Sequence, residues 1–229
     1  MWKVPKMWEG GECWIIGGGH SVPRQFDVPE NIIQKVLDGE LPISAYSPYL
    51  SAIHQKHIIG VNIAYLLGNW VEIVFFGDNN FYFTQMEGLA KFPGLKITCN
   101  PNADKIADNS VKRLGRLGHK GISNNPSYVC WNGNSGAAAI SVAANAGAKR
   151  IILLGFDMKL VNNEQHWHRM YKRKKKDAPY LPFHRHIVGF PQIAKDARRM
   201  GIEILNASPD SAIEVFRKVT VKEILDGRV

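Results

Sequence analysis

Asn134-Ser135-Gly136-Ala137-Ala138-Ala139-Ile140 runs into a small-residue stretch and then into Arg150-Ile-Ile-Leu-Leu-Gly-Phe-Asp157. The spacing predicts a turn, a tightly packed helix over Ser135 to Ala146, and a buried strand over Arg150 to Leu154 that ends in a glycine and a carboxylate. The first N–H groups of a helix have no intrahelical partner and attract anions. The carboxyl ends of strands in open α/β sheets are where ligands bind. One segment therefore supplies an anion cradle and a polar residue at a site edge. A similar pattern opens the chain at Cys13-Trp-Ile-Ile-Gly17-Gly18-Gly19-His20-Ser21, where an apolar run enters a glycine turn.

Apolar runs also end at Asn62 (from His57), at Gly77-Asp78 (from Val71), at Cys99 (from Lys96) and at Asn206 (from Ile202). Helical spacing falls between them, over Pro29 to Leu37, Phe83 to Phe92 and Pro191 to Met200. Tyr128 to Trp131 reads as a short strand, and residues 41 to 55 as loop with short helical pieces. The polar stretch 100 to 126 carries no clear period, and Ser211 to Leu225 mixes helix and coil. Strands alternating with helices predict an α/β, Rossmann-like, mostly parallel sheet covered on both faces. No linker composition divides the 229 residues, so one domain over 1–229 is expected, with a basic, His-rich lid at 159–188.

Composition excludes some classes. Hydrophobic content of 45% suits a globular core, and no run of apolar residues is long enough to span a bilayer. Cys13, Cys99 and Cys130 are widely spaced and form no CxxC motif, so neither a disulfide framework nor a structural zinc site is expected. With no signal-peptide core at the N-terminus, a reduced cytoplasmic setting is expected. The net charge of +9 is concentrated: Arg169, Lys172, Arg173, Lys174, Lys175 and Lys176 leave about +3 when set aside. Such a run suits a solvated loop, an anionic substrate or nucleic acid.

In a parallel sheet the ends at Gly17, Asn62, Asp78, Asp157 and Asn206 all lie on one side, and that convergence points to a site. Backbone N–H groups of Gly17, Gly18 and Gly19, with Ser21, are candidates to hold phosphate, as are Ser135 and Gly136. Asp78 and Asp157 are candidates for Mg²⁺ held through phosphate oxygens. His166, His168, His184 and His186 crowd the expected lid, and imidazole can move protons near neutral pH. Trp70, Phe81, Tyr82 and Phe83 flank Asp78 and suit either core packing or stacking on a base.

The ordered motifs resemble the 6-hydroxymethylpterin pyrophosphokinase-like family, which has many bacteriophage members, and are similar, more distantly, to the family-42 bacterial sialyltransferases. The first resemblance implies ATP, Mg²⁺, diphosphate transfer to a hydroxymethyl group and a phage origin. The second implies a CMP-sugar donor. It matches a donor-binding Asn to Asn62, a Ser-Gly helix start to Ser135-Gly136, and a catalytic His to His184 or His186. Tyr171 and Tyr180 lie in the region of its catalytic tyrosines. Its Gly-Asn-Gly-Pro-Ser turn corresponds to Gly17–Ser21, with Gly18 near the Asn position.

The expectation is a nucleotide-dependent group transferase, glycosyl- or diphosphotransferase-like. Gly17, Gly18, Gly19, Ser21, Asn62, Asp78, Ser135, Gly136 and Asp157 would hold the nucleotide. His184 or His186 would act on the acceptor hydroxyl or the leaving phosphate. His166, His168, Arg169, Lys172 and Arg173 would close over an anionic donor or acceptor. The alternative is a catalytically inactive nucleic-acid-binding accessory protein that uses residues 169–176. A modifier of hydroxymethylated DNA bases would combine the two.

Overall fold

The structure is a computed structural model that describes residues 1–106, 108–161, 164–171 and 182–229. Its strands are β1 (Glu12–Ile16), β2 (His57–Val61), β3 (Ile73–Phe76), β4 (Leu95–Thr98), β5 (Val111–Arg113), β6 (Gly115–Leu117), β7 (Tyr128–Cys130), β8 (Arg150–Leu154), β9 (Glu203–Asn206) and β10 (Arg217–Lys218). The helices are α1 (Ser21–Arg24), α2 (Glu30–Asp38), α3 (Asn79–Lys91), α4 (Ser135–Ala146), α5 (Phe183–Ile187), α6 (Phe190–Met200) and α7 (Val221–Leu225). An eight-stranded sheet runs β10-β9-β8-β1-β2-β3-β4-β5, and β6 and β7 form a separate parallel pair. Every pairing in the large sheet is parallel, in agreement with the expected Rossmann-like α/β fold.

The sheet is parallel because its strands are apolar on both faces. On β1, Trp14 and Ile16 enter one core while Cys13 and Ile15 enter the other. On β8, Ile152 and Leu154 alternate in the same way with Ile151 and Leu153. The first core is covered by α2 through Ile33, Val36 and Leu37, by the 3₁₀ segment Ile43–Ile53, by α3 and by α7. The second is covered by α4 and by Phe190, Ile193 and Ala197 of α6.

All twelve residues of α4 are buried, and the helix lies against β1, β2, β3 and β7. Alanine, glycine and serine permit that close approach. Asn134 caps its start, with its side-chain oxygen 2.8 Å from the Ala137 N–H, and Gly147 ends it at φ +102. The expected α4 and β8 match the observed elements end to end.

Other boundaries moved for identifiable reasons. The helix expected from Phe83 begins at Asn79, because Asp78 accepts from the Phe81 N–H at 2.7 Å and caps it. The unplaced stretch 100–126 supplies edge strand β5 and, with β7, the small pair. The helical pieces expected within the loop at 41–55 are a 3₁₀ segment, Ile43–Ile53, with Tyr46, Leu50 and Ile53 fully buried.

β1 is followed in sequence by β2 on one side of the sheet and is paired with β8 on its other side. The chain reverses its winding between them, and ligands in such sheets bind outside the carboxyl ends at that switch point. Because α4 has no spare room, Ala139→Leu is expected to cost about 1–3 kcal/mol. Urea denaturation measures it, and an unchanged midpoint would contradict the packing described.

Candidate functional site

A cavity of about 290 Å³ opens at the switch point. Its floor is Gly17, Gly18 and Gly19 after β1, Asn62 after β2, Asp78 after β3, and Gly155, Phe156 and Asp157 after β8. Its walls include Trp131, Ser135 and Gly136 at the start of α4, Arg185 and His186 of α5, and Lys159, His166, His168 and Tyr171 from the segment after β8. Most of the sequence-derived candidates are therefore brought together. Ser21, His184 and Arg169 do not line this cavity, and Lys172, Arg173 and Tyr180 lie outside the described residues.

Two of the three glycines differ from their expected role. The Gly17 N–H donates to Leu154 O at 2.8 Å and the Gly19 N–H to Gly155 O at 2.8 Å. Both donors are spent on β8, so they hold the strands together rather than a phosphate. Glycine is required at position 19 for another reason: a Cβ there would sit 2.6 Å from Asp157 Oδ2 and 2.6 Å from the Gly155 carbonyl oxygen.

Asp157 explains the tightness. Its Oδ2 accepts from the Ser21 N–H at 2.9 Å and its Oδ1 from the Ser21 hydroxyl at 2.5 Å. Ser208 completes the cluster, accepting from the Gly155 and Phe156 N–H groups and lying 3.0 Å from Ser21 Oγ. Ser21 is thus a tie between strand ends and not a phosphate ligand. Asp78 uses one oxygen to cap α3. Both carboxylates accept from helix-start groups, Asp157 through both oxygens and Asp78 through one. Among the described residues, no group of three or more His, Cys, Asp or Glu is placed to hold a metal ion.

The start of α4 keeps its expected character. Asn134 satisfies the Ala137 N–H. The N–H groups of Ser135 and Gly136 have no partner among the described residues, and both residues line the cavity. Asn134 Nδ2 also donates to the His186 backbone oxygen at 3.0 Å, which holds α5 beside this cap. Of the two candidate catalytic histidines, His186 lines the cavity, whereas His184 is exposed on the same short helix.

Asn62 stands at φ +53, a left-handed conformation that asparagine tolerates better than most residues. Its side-chain oxygen is buried without a partner. Tyr171 faces Asn62 and Asp78: burial and then the Asp78 charge push its phenol well above the ordinary value, while a hydrogen bond from the Asn62 side chain opposes the rise. Asn206, expected at the same edge, is fully buried beside β10 and does not reach the cavity. Phe81 and Tyr82 are core residues, Trp70 stacks on His54 at 4.5 Å, and none of the flanking aromatics lines the site. Arg169 instead donates to the Asp38 backbone oxygen at the end of α2.

Sequence reasoning missed Lys159, Arg185 and Trp131. The ring of Trp131 carries the Arg116 guanidinium 3.8 Å above it, and Arg116 also donates to the backbone oxygens of Cys99 and Gly77. Arg116 belongs to the stretch without a period, so no pattern announced it. Lys159 and Arg185 were hidden among the many cations of 159–188.

No family model and no curated protein sequence matches the chain. Solved structures share its fold. A Maf glycosyltransferase from Magnetospirillum magneticum AMB-1 superposes with a TM-score of 0.60 at 11% identity, over 99% of this chain and 38% of that one. The sialyltransferase CstII from Campylobacter jejuni, solved with cytidine-5′-monophosphate, superposes with a TM-score of 0.51 at 14% identity, over 91% of this chain and 84% of that one. The chain thus spans well under half the length of the first. At these identities the likeness establishes the fold, an α/β Rossmann-like sheet found in glycosyltransferases. It lends nothing to the pyrophosphokinase or phage expectations. Among the described residues, no helix is long and apolar enough to cross a membrane.

Burial lowers His166 and His168 below the ordinary imidazole value of 6.5, and for His168 the neighbouring His166 adds to the effect. The unfolded chain then binds more protons than the native state once pH falls through that value. Native stability is expected to be full above pH about 6.5 and to decline as pH falls below it. The double variant His166→Gln, His168→Gln should flatten the decline, as read by urea midpoints. A midpoint that rises on acidification would contradict it.

Proposed function

We propose that the chain is a nucleotide-dependent glycosyltransferase that uses a CMP-sugar donor. The observation that carries the reading is the start of α4. Two N–H groups at a helix N-terminus, without partners among the described residues, belong to residues lining the switch-point cavity that Lys159 and Arg185 also line. That is a site for one phosphate of low charge, favoured by the helix dipole and by two cations. The volume of about 290 Å³ lies at the lower end of ligand sites and suits a single nucleotide.

In this reading the donor phosphate rests on Ser135 and Gly136, and Asn62 and Tyr171 contact the nucleoside or sugar. His186, held beside the cap through Asn134, acts on the leaving phosphate. The likeness to CstII, which was solved with a cytidine nucleotide, supports the cytidine assignment. Diphosphate transfer from ATP needs more neutralising charge, which metal ions usually supply through carboxylates. Among the described residues no group of three or more His, Cys, Asp or Glu is placed to hold a metal ion, so a monophosphate leaving group fits the residues better.

The nucleic-acid reading rested on residues 169–176, of which 172–176 lie outside the described residues. Arg169 is engaged with α2, and no described feature favours that reading.

Ser135→Pro tests the phosphate site directly. Proline is favoured at the first helical position, and Asn134 is already extended at φ −157 and ψ 158, as a residue before proline should be. The substitution removes one N–H donor without breaking the helix. A charge-assisted hydrogen bond contributes about 1.5–3 kcal/mol, so CMP should bind roughly 10- to 100-fold more weakly. Ser135→Ala controls for the hydroxyl. Calorimetric titration that shows equal CMP affinity in wild type and Ser135→Pro would refute the assignment.

A further inference from the structure

The segment Gln165-His166-Trp167-His168 closes over the glycine turn after β1, and its two imidazoles differ in where each carries its proton. His166 Nδ1 lies 3.1 Å from the Gly18 carbonyl oxygen. A carbonyl only accepts, so Nδ1 holds the hydrogen and Nε2 is left with a lone pair. His168 is the reverse: its Nδ1 accepts from the Met170 N–H at 3.3 Å, which places the hydrogen on Nε2. The two rings stack with centroids 5.1 Å apart and planes 8° from parallel. Tyr171 meets both edge-on, at 5.2 and 5.1 Å.

Trp167 fixes the pair in place. Its indole Nε1 donates to Gly17 O at 2.8 Å, its backbone N–H reaches Gly18 O at 3.3 Å, and its side chain is fully buried. Both imidazoles line the cavity. The glycine turn, whose Gly17 and Gly19 N–H groups serve the β8 chain, therefore uses its carbonyl groups to set the orientation and tautomer of His166. The absence of a side chain at position 18 is part of the device, since a Cβ there would lie 2.7 Å from His166 Nδ1.

Two closely stacked imidazoles resist taking two protons, and the hydrogen bonds decide which takes one. A proton added at His166 Nε2 leaves the bond to Gly18 intact and strengthens it by making it charge-assisted. A proton added at His168 Nδ1 would face the Met170 N–H. Around His166 stand His20, whose Nδ1 lies 3.5 Å from the His166 backbone oxygen, and His168 and Tyr171 on its own segment, while Asp78, Asp157, Lys159, Arg185 and His186 line the same cavity. Asp157 accepts from the Ser21 N–H and hydroxyl, and Asp78 keeps one oxygen on the α3 cap.

We propose that His166 is the general base of the transfer, its Nε2 taking the proton of the acceptor hydroxyl. This rests on the glycosyltransferase reading and adds the residue that activates the acceptor, which that reading leaves open. The acceptor oxygen forms its bond to the anomeric carbon of the donor sugar. The bond from that carbon to the phosphate oxygen breaks, and its electron pair leaves on the nucleoside monophosphate. The hydroxyl proton passes to Nε2, and the imidazolium, held by Gly18 through Nδ1–H, releases it to solvent after the product departs. His186, beside the α4 cap, is left to the leaving phosphate.

Nitrogen-15 NMR of the full chain labelled at histidine tests the assignment, with His166→Gln and His168→Gln identifying the signals. The expected result is an unprotonated Nε2 on His166, the opposite tautomer on His168, and first protonation at His166 as pH falls. A hydrogen on His166 Nε2 near neutral pH, or first protonation at His168, would overturn the proposal. In a second arm, release of CMP from CMP-N-acetylneuraminate with water as acceptor should fall at least about 100-fold in His166→Gln, with CMP affinity held within about twofold. Equal rates in the two proteins, or a parallel loss of CMP binding, would also overturn it. A wild-type protein that shows the expected tautomers but binds no CMP would instead refute the CMP-sugar reading and leave the proton-acceptor assignment standing.

Discussion

The carboxylate of Asp157 is the interaction on which the site depends. By accepting both the N–H and the hydroxyl of Ser21, it joins the chain leaving β8 to the chain leaving β1, the two strands on either side of the switch point. That tie draws the glycine turn so close that no side chain fits at Gly19. The Gly17 and Gly19 N–H groups then extend the bonding to the chain of β8, and the Gly17 and Gly18 carbonyl groups face the segment carrying His166 and Trp167. A carboxylate at a strand end, which in isolation suggests a metal ligand, here sets the distances between the walls of the cavity.

With that frame fixed, the polar groups fall into two sets. One set is donors and cations: the Ser135 and Gly136 N–H groups, which have no partner among the described residues, with Lys159 and Arg185 lining the same cavity. Toward the glycine turn are neutral imidazoles in fixed tautomers and a phenol whose ionisation is suppressed. The first set suits the departing phosphate, and the second suits an uncharged hydroxyl that must lose a proton. Glycosyl transfer needs both, and a cavity sized for one nucleotide keeps them within reach of a single sugar.

Much of this was legible in the sequence where local chemistry decides the outcome. β1, β3 and β8 are apolar on both faces and read as buried parallel strands. α4 announces itself through Asn134, its small residues and Gly147. The convergence of Gly17, Asn62, Asp78 and Asp157 follows from parallel strand direction alone, and the structure brings all four to one cavity. What a donor or acceptor is already doing could not be read. Gly17 and Gly19 look like a phosphate cradle until their N–H groups are found on β8, and Asp78 looks like a metal ligand until it caps α3. Residues 100–126 resist reading because their order comes from side-chain bonds to distant carbonyls, as with Arg116 on Cys99 and Gly77, rather than from an apolar period.

The central claim is that a nucleotide phosphate sits on the first turn of α4, and backbone amide NMR during a CMP titration tests it most directly. The account predicts that the Ser135 and Gly136 amide protons move downfield, with the largest and saturable shifts in the chain, as each acquires an anionic acceptor. Saturable shifts centred elsewhere, or none at millimolar CMP, would contradict it.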